Sequence, residues 1–258
     1  MQDHQYAIDI RGFSKRYDDK FAVKDLELQI RRGTFFGFVG PNGAGKTTTI
    51  NALVGLVKPS DGSLRIMGYD IAKDALNAKA NIGFMPEEVV LYERMTIREY
   101  LDFVGHMYQL APAEIKPRGD ELIEMLDLDA SKYMGAFSLG MKKKAALAAA
   151  LIHKPSIIIL DEPFSAIDAT TGSRIRTALN QMVNEGHTVF FSSHVLETVE
   201  RVSREIGIIH NGKLLSVGSL EKVQEDAGCS KGTPLEDVFL VLVGAKTVEE
   251  ISCQGSDT

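Results

Sequence analysis

Short stretches of apolar or alternating residues along the chain predict a series of β-strands. Positions 26–30 alternate between apolar and polar residues, which indicates a strand with one face in solvent, whereas the apolar run at 34–39 indicates a strand buried on both faces. The other predicted strands lie at 6–10, 63–67, 81–85, 156–160, 188–191, 205–210 and 213–217. The dipeptide Asn211-Gly212 separates the last two strands and is typical of a type I′ hairpin turn.

From about Thr96 onward, the hydrophobic period changes from two residues to about 3.6 residues, as in a helix. Thr96 and Glu99 form a capping box, which predicts that a helix begins at this point. Because the helical pattern continues to Ala150, we expect an all-helical subdomain at about 88–150, inserted into an α/β core.

Another helix, at about 170–184, connects the predicted strands at 156–160 and 188–191. A strand, a helix and a second strand in this order indicate a parallel sheet that is buried on both faces, so the fold class is α/β. We assign residues 8–234 to the main domain. Residues 235–258 are expected to form a short helix followed by a polar tail.

The composition is that of an ordinary globular protein, and its charge argues weakly against nucleic acid as a partner. The 258 residues are 44% hydrophobic and 25% charged, with a net charge of −6. An acidic chain does not favour a broad nucleic-acid-binding surface, so no nucleic-acid partner is expected. Cys229 and Cys253 lack the spacing of metal ligands, which indicates free thiols in a reducing compartment.

Neither a targeting signal nor a membrane span is evident in the sequence. The first residues lack the basic and apolar regions of a signal peptide, and no apolar run approaches the 18 or so residues that a spanning helix needs. We therefore expect a cytoplasmic protein that does not cross a membrane by itself.

The sequence Gly-Pro-Asn-Gly-Ala-Gly-Lys-Thr occupies positions 40–47, between the predicted buried strand and a helix-like segment. Glycines in such a loop let successive backbone N–H groups turn toward an anion, and the helix points its positive end at that anion. Lys46 can then reach the β and γ phosphates of a nucleotide, and the Thr47 hydroxyl can bind Mg²⁺. The predicted nucleotide-binding residues here are Gly40, Pro41, Asn42, Gly43, Ala44, Gly45, Lys46, Thr47 and Thr48. The loop alone does not choose among a kinase, a GTPase and a transport ATPase.

Two acidic residues, Asp161 and Glu162, follow the apolar positions 157–160. Doubly wound sheets bind their ligands at the carboxyl ends of central strands. Asp161 would hold Mg²⁺ together with Thr47, while Glu162 would polarise the attacking water as the catalytic residue. A solvated acidic turn is the alternative, and the apolar strand before the pair argues against it.

The order of these motifs resembles that of the ATP-binding subunits of ABC transporters over nearly the whole chain. Positions 40–47 resemble the Walker A loop and positions 157–162 resemble the Walker B strand. The segment 165–168 is similar to the D-loop. The resemblance implies that Tyr17 stacks on adenine, although the local sequence favours an ordinary half-buried turn aromatic. It also implies that His194, in Ser-Ser-His, is the catalytic histidine that senses the γ-phosphate.

Two segments depart from the usual family pattern. Glu87 stands where many members have a glutamine that touches Mg²⁺ and the attacking water, and an ionised carboxylate accepts but does not donate hydrogen bonds. The signature segment at 137–141 has Leu139 and Met141 in place of a glycine and a glutamine. Ser138 and Gly140 are retained, and they are expected to bind the γ-phosphate of the ATP held by the facing subunit. These departures resemble the branch paired with ABC-2 type exporter membrane subunits.

The resemblance implies a RecA-like P-loop NTPase core with an antiparallel β arm and the inserted helical subdomain. It also implies an ATPase that binds ATP and Mg²⁺ in a head-to-tail dimer with a second ATP-binding subunit, which is either identical or different. A separate integral membrane subunit would carry an unknown substrate, with contact near the apolar stretch 89–92. The chain would then be peripheral on the inner face of the cell membrane. The alternatives are a soluble ABC-type ATPase acting on nucleic acid or ribosomes, and a P-loop kinase or GTPase, against which the signature segment and Ser-Ser-His argue.

Overall fold

The computed structural model of this chain describes residues 5–254, which form two β-sheets and a set of covering helices. In chain order the strands are β1 (Tyr6–Tyr17), β2 (Lys20–Arg31), β3 (Phe35–Val39), β4 (Asp61–Ile66), β5 (Tyr69–Asp70), β6 (Ile82–Met85), β7 (Ile157–Leu160), β8 (Thr188–Ser193), β9 (Glu205–His210) and β10 (Lys213–Gly218). The helices are α1 (Lys46–Leu53), α2 (Ala75–Ala80), α3 (Ile97–Met107), α4 (Pro112–Met125), α5 (Leu139–Leu151), α6 (Ala169–Asn184), α7 (Leu196–Val202), α8 (Leu220–Asp226), α9 (Leu235–Leu242) and α10 (Val248–Gln254). A short 3₁₀ turn, Met134–Ala136, precedes α5.

The two sheets correspond to the predicted core and the predicted arm. Six strands form the core sheet in the order β10-β9-β3-β8-β7-β6, and all neighbouring pairs are parallel except β9 with β10. Four antiparallel strands form the arm in the order β2-β1-β4-β5. The α/β fold and the antiparallel arm expected from the sequence are confirmed. Asn211 and Gly212 both have positive φ, as the predicted type I′ turn between β9 and β10 requires.

The strands β1 and β2 are longer than the sequence pattern predicts. The first strand was predicted to end at position 10, but β1 continues to Tyr17, and a hairpin at Asp18 and Asp19 leads into β2. Ser14 is accommodated within the ladder because its hydroxyl accepts a hydrogen bond from the Asp25 N–H at 2.9 Å. Tyr17 therefore lies at the tip of a long hairpin instead of in a separate turn.

The core sheet is buried on both faces, because alternate residues of its central strands belong to two separate apolar clusters. Phe35 and Val39 of β3 face the cluster that contains α5 and α6. Phe36 and Phe38 face the cluster formed with the antiparallel arm and α1. The Phe36 ring stacks on Phe190 of β8 with 5.6 Å between ring centroids. Every residue of β3 and β7 is buried, which explains why both strands read as uninterrupted apolar runs.

The helices α3, α4 and α5 lie in the chain between β6 and β7, which are neighbours in the core sheet. Thr96 caps α3, and both halves of the predicted capping box are present, because the Thr96 hydroxyl accepts from Glu99 N–H and the Glu99 carboxylate accepts from Thr96 N–H. The helical character predicted for this region is thus confirmed. Its extent as a subdomain, about 88–150, stays a prediction.

The C-terminal part of the described chain packs against the rest of the molecule. Leu235 and Val238 of α9 are fully buried in the same apolar cluster as α5 and α6, and Leu235 N–H donates to the Glu200 carboxylate of α7 at 3.0 Å. Beyond α9, where the sequence pattern predicts a polar tail, the chain forms a further helix, α10. The last part of that predicted tail, residues 255–258, lies outside the described residues.

Within residues 5–254, none of the helices has both the length and the apolar character needed to cross a bilayer.

Candidate nucleotide site

Three neighbouring parallel strands bring the predicted site residues to one edge of the core sheet. In the order of the sheet, β3 leads into the glycine loop, β8 ends just before His194, and β7 ends just before Asp161. Parallel neighbours have their carboxyl ends at the same edge, so these segments meet although they are far apart in the sequence.

A cavity of about 790 Å³ opens at this edge. Residues from the glycine loop, the tip of the β1–β2 hairpin, the β9–β10 turn and the ends of β6 and β7 line it. The predicted site residues among them are Tyr17, Asn42, Gly43, Gly45, Lys46, Thr47, Thr48, Glu87 and Glu162. The volume is within the range of small-molecule and nucleotide sites.

The glycines of the loop serve two different physical purposes. Gly43 and Gly45 have φ angles of 79° and 110°, a region that residues with a side chain rarely adopt. Gly40 has no such angle, and a Cβ there would lie 2.2 Å from the carbonyl oxygen of Ile209 on β9. The sequence-based reason, close approach to an anion, therefore does not account for Gly40, which is required by tight packing between strands. Pro41 and Ala44 belong to the loop without lining the cavity, and Ala44 N–H donates to the Pro41 carbonyl at 3.1 Å.

Glu162 is the most enclosed charged group that lines the cavity. Its residue is only 4% exposed, and its Oε1 lies 2.9 Å from Nδ1 of the exposed His194 and 3.7 Å from Nζ of Lys46. The Lys46 ammonium also donates to the carbonyl oxygens of Gly40 at 2.7 Å and Pro41 at 3.3 Å. The structure thus brings both predicted catalytic residues into contact, next to the lysine expected to bind phosphate.

Asp161 is buried next to Glu162 and does not line this cavity. Its carboxylate accepts a hydrogen bond from the hydroxyl of Ser192, and the same hydroxyl accepts from Glu162 N–H at 3.0 Å. Ser192 is fully buried on β8, so it fixes both acidic residues from the neighbouring strand. Ser192 belongs to the Ser-Ser-His motif, and its contact with the acidic pair was not predicted. A serine directly across a parallel pair from the acidic residues would have been the signal.

The oxygen atoms near the loop suit a hard cation such as Mg²⁺. Thr47 and Glu87 line the same cavity, and the buried Asp161 supplies a second carboxylate next to Glu162 in the chain. Mg²⁺ prefers oxygen ligands and usually combines one or two protein carboxylates with phosphate oxygens and waters. The donor set therefore fits the predicted metal, and the assignment of these three ligands stays a prediction.

Tyr17 forms one wall of the cavity at the hairpin tip, where the residue is 48% exposed. Nζ of Lys15 lies 4.9 Å from the ring centroid, so one face of the ring carries a cation. An aromatic wall at one end of the cavity suits a planar base, and the glycine loop at the other end suits a polyphosphate.

The signature segment lies outside this cavity. Ser138 is exposed and caps α5, with its hydroxyl accepting from Met141 N–H at 3.3 Å. Gly140 is buried, and a Cβ there would lie 3.0 Å from the Thr171 hydroxyl on α6, so the glycine allows close packing of the two helices. The structure therefore does not bring Ser138 and Gly140 to the Walker A residues of the same chain.

These features define a P-loop ATPase with a RecA-like core, and comparison with known proteins gives the family. The family described as ABC transporter matches residues 23–165. Linearmycin resistance ATP-binding protein LnrL of Bacillus subtilis is 39% identical over 210 residues, which are 81% of this chain and 68% of that protein. The chain therefore belongs to the ABC transporter family as an ATP-binding subunit, an ATPase coupled to transport.

Solved structures agree with this assignment. One, described as the structure of the ATP-binding subunit of an ABC transporter, has a TM-score of 0.86 and 30% identity, and the match covers 92% of this chain and 99% of that one. Another, an ATP-binding cassette in a dimeric post-hydrolysis state bound to ADP and Pi, has a TM-score of 0.74 and 25% identity, with 83% and 98% covered. That similar cassette is thus a dimer with ADP and Pi bound.

Substituting Ser192 with Ala is expected to destabilise the fold by about 1–3 kcal/mol, because it leaves the buried Asp161 carboxylate and Glu162 N–H without a partner. Ser216→Ala is the matched control. Ser216 is also buried and donates to a carboxylate, Asp226, at 2.7 Å, but Asp226 retains contact with Lys222 and solvent. Urea unfolding followed by circular dichroism measures both losses. Equal losses for the two variants would contradict the role assigned to Ser192.

Proposed function

We propose that this chain hydrolyses MgATP at the interface of two head-to-tail subunits and thereby drives export of a substrate through a separate membrane subunit. One observation carries the proposal: a buried carboxylate, Glu162, lies between Lys46 and His194 at the mouth of the glycine loop. That arrangement suits the hydrolysis of a phosphoanhydride, because a base, a cation and a hydrogen-bonding group converge where a γ-phosphate would lie.

Different residues of the site would bind different parts of the nucleotide. The N–H groups at 43–47 and the positive end of α1 would hold the phosphates, while Lys46 would exchange its loop carbonyl partners for β and γ oxygens. When bound, Mg²⁺ would neutralise phosphate charge, with Thr47, Asp161 and Glu87 as its proposed protein ligands. Tyr17 would stack on the adenine.

Glu162 would orient and polarise the attacking water, and His194 would support it. The 2.9 Å contact between His194 Nδ1 and Glu162 Oε1 fixes the direction of the carboxylate. Being almost fully enclosed, the carboxylate interacts with the water and the γ-phosphate under little solvent screening, which strengthens its effect in the transition state.

A second subunit is proposed because Ser138 and Gly140 lie outside the cavity of their own chain. In a head-to-tail pair, the start of α5 in one subunit would cover the γ-phosphate bound by the other, with its N–H groups pointing at the anion. The dimeric state of a similar solved structure supports this arrangement.

The direction of transport is proposed to be outward. The relative LnrL is described as a resistance protein, and removal of a compound from the cell is a direct route to resistance. The departures at Glu87 and in the signature segment, which resemble the ABC-2 exporter branch, point the same way.

An exposed apolar patch is the proposed contact with the membrane subunit. We define this patch by four exposed residues, Val90, Tyr92, Phe103 and Met107. The Tyr92 and Phe103 rings meet with 5.7 Å between centroids, and Met107 follows Phe103 by four residues on α3, which places both on one face of the helix. Exposed apolar surface of this kind typically marks a protein contact. Since the patch begins three residues after Glu87, a helix of the membrane subunit docked there would be linked directly to the nucleotide site.

Glu162→Gln is expected to lower the rate of ATP hydrolysis by about 10²-fold or more, because the amide keeps the size of the side chain but loses the charge that polarises water. Binding of MgATP should persist. Phosphate release and nucleotide binding, measured on the same preparation, test both parts.

Glu88→Gln is the control for this experiment, since Glu88 is an exposed acidic residue that does not line the cavity. It should hydrolyse ATP at the wild-type rate. Lys46→Ala should instead lose nucleotide binding. Near wild-type hydrolysis by Glu162→Gln would remove the proposed catalytic role.

Met107→Asp is expected to abolish binding to membrane vesicles of the source cells, because it places a charge in the apolar contact. Leu76→Asp, which changes an equally prominent exposed residue on α2 outside the patch, should bind as the wild type does. Co-sedimentation with native vesicles and with protein-free liposomes measures this. Retention on the liposomes would refute docking to a membrane protein, and equal binding by the two variants would refute the patch.

A further inference from the structure

Two lysines on α5 are buried although they follow the exposed signature serine by only a few residues. Lys143 is 1% exposed and Lys144 is 7% exposed. Burying an ammonium group is costly unless its donors are all satisfied. The two ammonium groups donate to acceptors in different parts of the molecule. Only the acceptors of Lys143 lie next to the nucleotide site.

Lys143 uses all three of its donors on one loop. Its Nζ donates to the carbonyl oxygen of Glu162 at 2.8 Å, to the carbonyl oxygen of Ser165 at 2.7 Å and to the Ser165 hydroxyl at 2.9 Å. An ammonium group has three N–H donors, so none is left over. Lys144, by contrast, donates to the carbonyl oxygen of Asp127 at 2.6 Å, at the end of α4.

The loop that Lys143 holds has an unfavourable backbone conformation. Glu162 has a φ of 48° and Ala166 has a φ of 53°, and side chains disfavour this left-handed region. Such residues persist only when the surrounding structure fixes them. Glu162 is fixed on both sides, since its N–H donates to Ser192 and its carbonyl oxygen accepts from Lys143.

Lys143 is a second buried cation close to Glu162, besides Lys46. Lys46 lies 3.7 Å from the Glu162 carboxylate, but Lys46 is the group expected to bind phosphate. Burial lowers the pKa of Lys143, while the negative charges of Glu162 and Glu87 oppose that shift. Its ammonium therefore offsets the negative charge that collects around the site.

We infer that Lys143 is a positioning residue, which holds the backbone of Glu162 in the conformation that directs the carboxylate toward the attacking water. Because Lys143 lies on α5, it also links this conformation to the helix that begins at the signature segment. The inference rests on the proposed function of Glu162. Ser138 and Lys143 are five residues apart on one helix, or about 7.5 Å along its axis. A displacement of Ser138 by the facing subunit's nucleotide would thus reach Glu162 through a single rigid element.

The test compares Lys143→Met, which keeps the length of the side chain but removes all donors, with Lys143→Gln, which keeps an N–H donor. We expect Lys143→Met to lower kcat by at least about tenfold while the Kd for MgATP changes by less than about twofold. Lys143→Gln should retain more of kcat than Lys143→Met. A residue that only fills space would give the opposite order, because apolar replacements of buried ions are often well tolerated.

Lys144→Met is the matched control, since it removes an equally buried ammonium from the same helix without touching the loop after β7. It should keep the wild-type kcat. Thermal unfolding of all variants separates changes in stability from changes in rate. Equal kcat values for Lys143→Met and Lys144→Met, or a higher kcat for Lys143→Met than for Lys143→Gln, would overturn the inference.

If Lys143→Met does not fold, Ser165→Ala replaces it in the test. Ser165 is half-buried, and its hydroxyl contacts both Lys143 Nζ and the Glu162 carbonyl oxygen, the latter at 3.1 Å. The Ser165→Ala variant should have a lower kcat and an unchanged Kd for MgATP. A wild-type kcat for this variant would overturn the inference.

The double variant Lys143→Met with Glu162→Gln separates this inference from the proposed function. If both residues act on one water, the second change should add little to the first. A fast Glu162→Gln enzyme would refute the proposed function whatever Lys143 does. A slow Glu162→Gln enzyme together with a fast Lys143→Met enzyme would refute the inference alone.

Discussion

Four charged side chains are buried together at one edge of the core sheet, and the need to pair them is the constraint on which the site depends. Lys46, Lys143, Asp161 and Glu162 are all almost fully enclosed. A buried charge without a partner is strongly destabilising, so each must meet an opposite charge or a hydrogen-bonding group. Their partners come from the glycine loop, from Ser192 and from the loop after β7. The ends of β3, β7 and β8 are thereby tied to one another.

This pairing also prepares the site for a polyphosphate. Lys46 bonds two carbonyl oxygens of its own loop, which are weaker partners than phosphate oxygens. Glu162, in contrast, is held on both sides of its backbone and contacts His194 through its side chain. In the proposed mechanism the cation is therefore the group that changes partners, while the carboxylate stays fixed. A base that is already oriented needs no reorganisation at the moment of reaction.

The sequence predicted the features that depend on local patterns. The strand, glycine loop and helix around Lys46, the acidic pair after an apolar strand and the capping box at Thr96 follow from neighbouring residues. The RecA-like core was expected from the resemblance to ABC transporter ATP-binding subunits. Features that depend on distant contacts were missed. The need for Gly40 arises from Ile209 on another strand, and the partner of Lys143 lies about twenty residues away, in the loop after β7. Neither a residue type nor its spacing indicates such contacts before the chain is folded.

We propose that each site is completed by the signature segment of a second subunit, and mixing two inactive variants tests this proposal most directly. Ser138→Arg blocks the signature, and Lys46→Ala disables the glycine loop. In a mixed pair, the intact loop of the first variant faces the intact signature of the second, so one complete site forms. We predict that each variant alone hydrolyses little ATP and that the mixture regains hydrolysis. A mixture no more active than the sum of its two components would contradict the shared site.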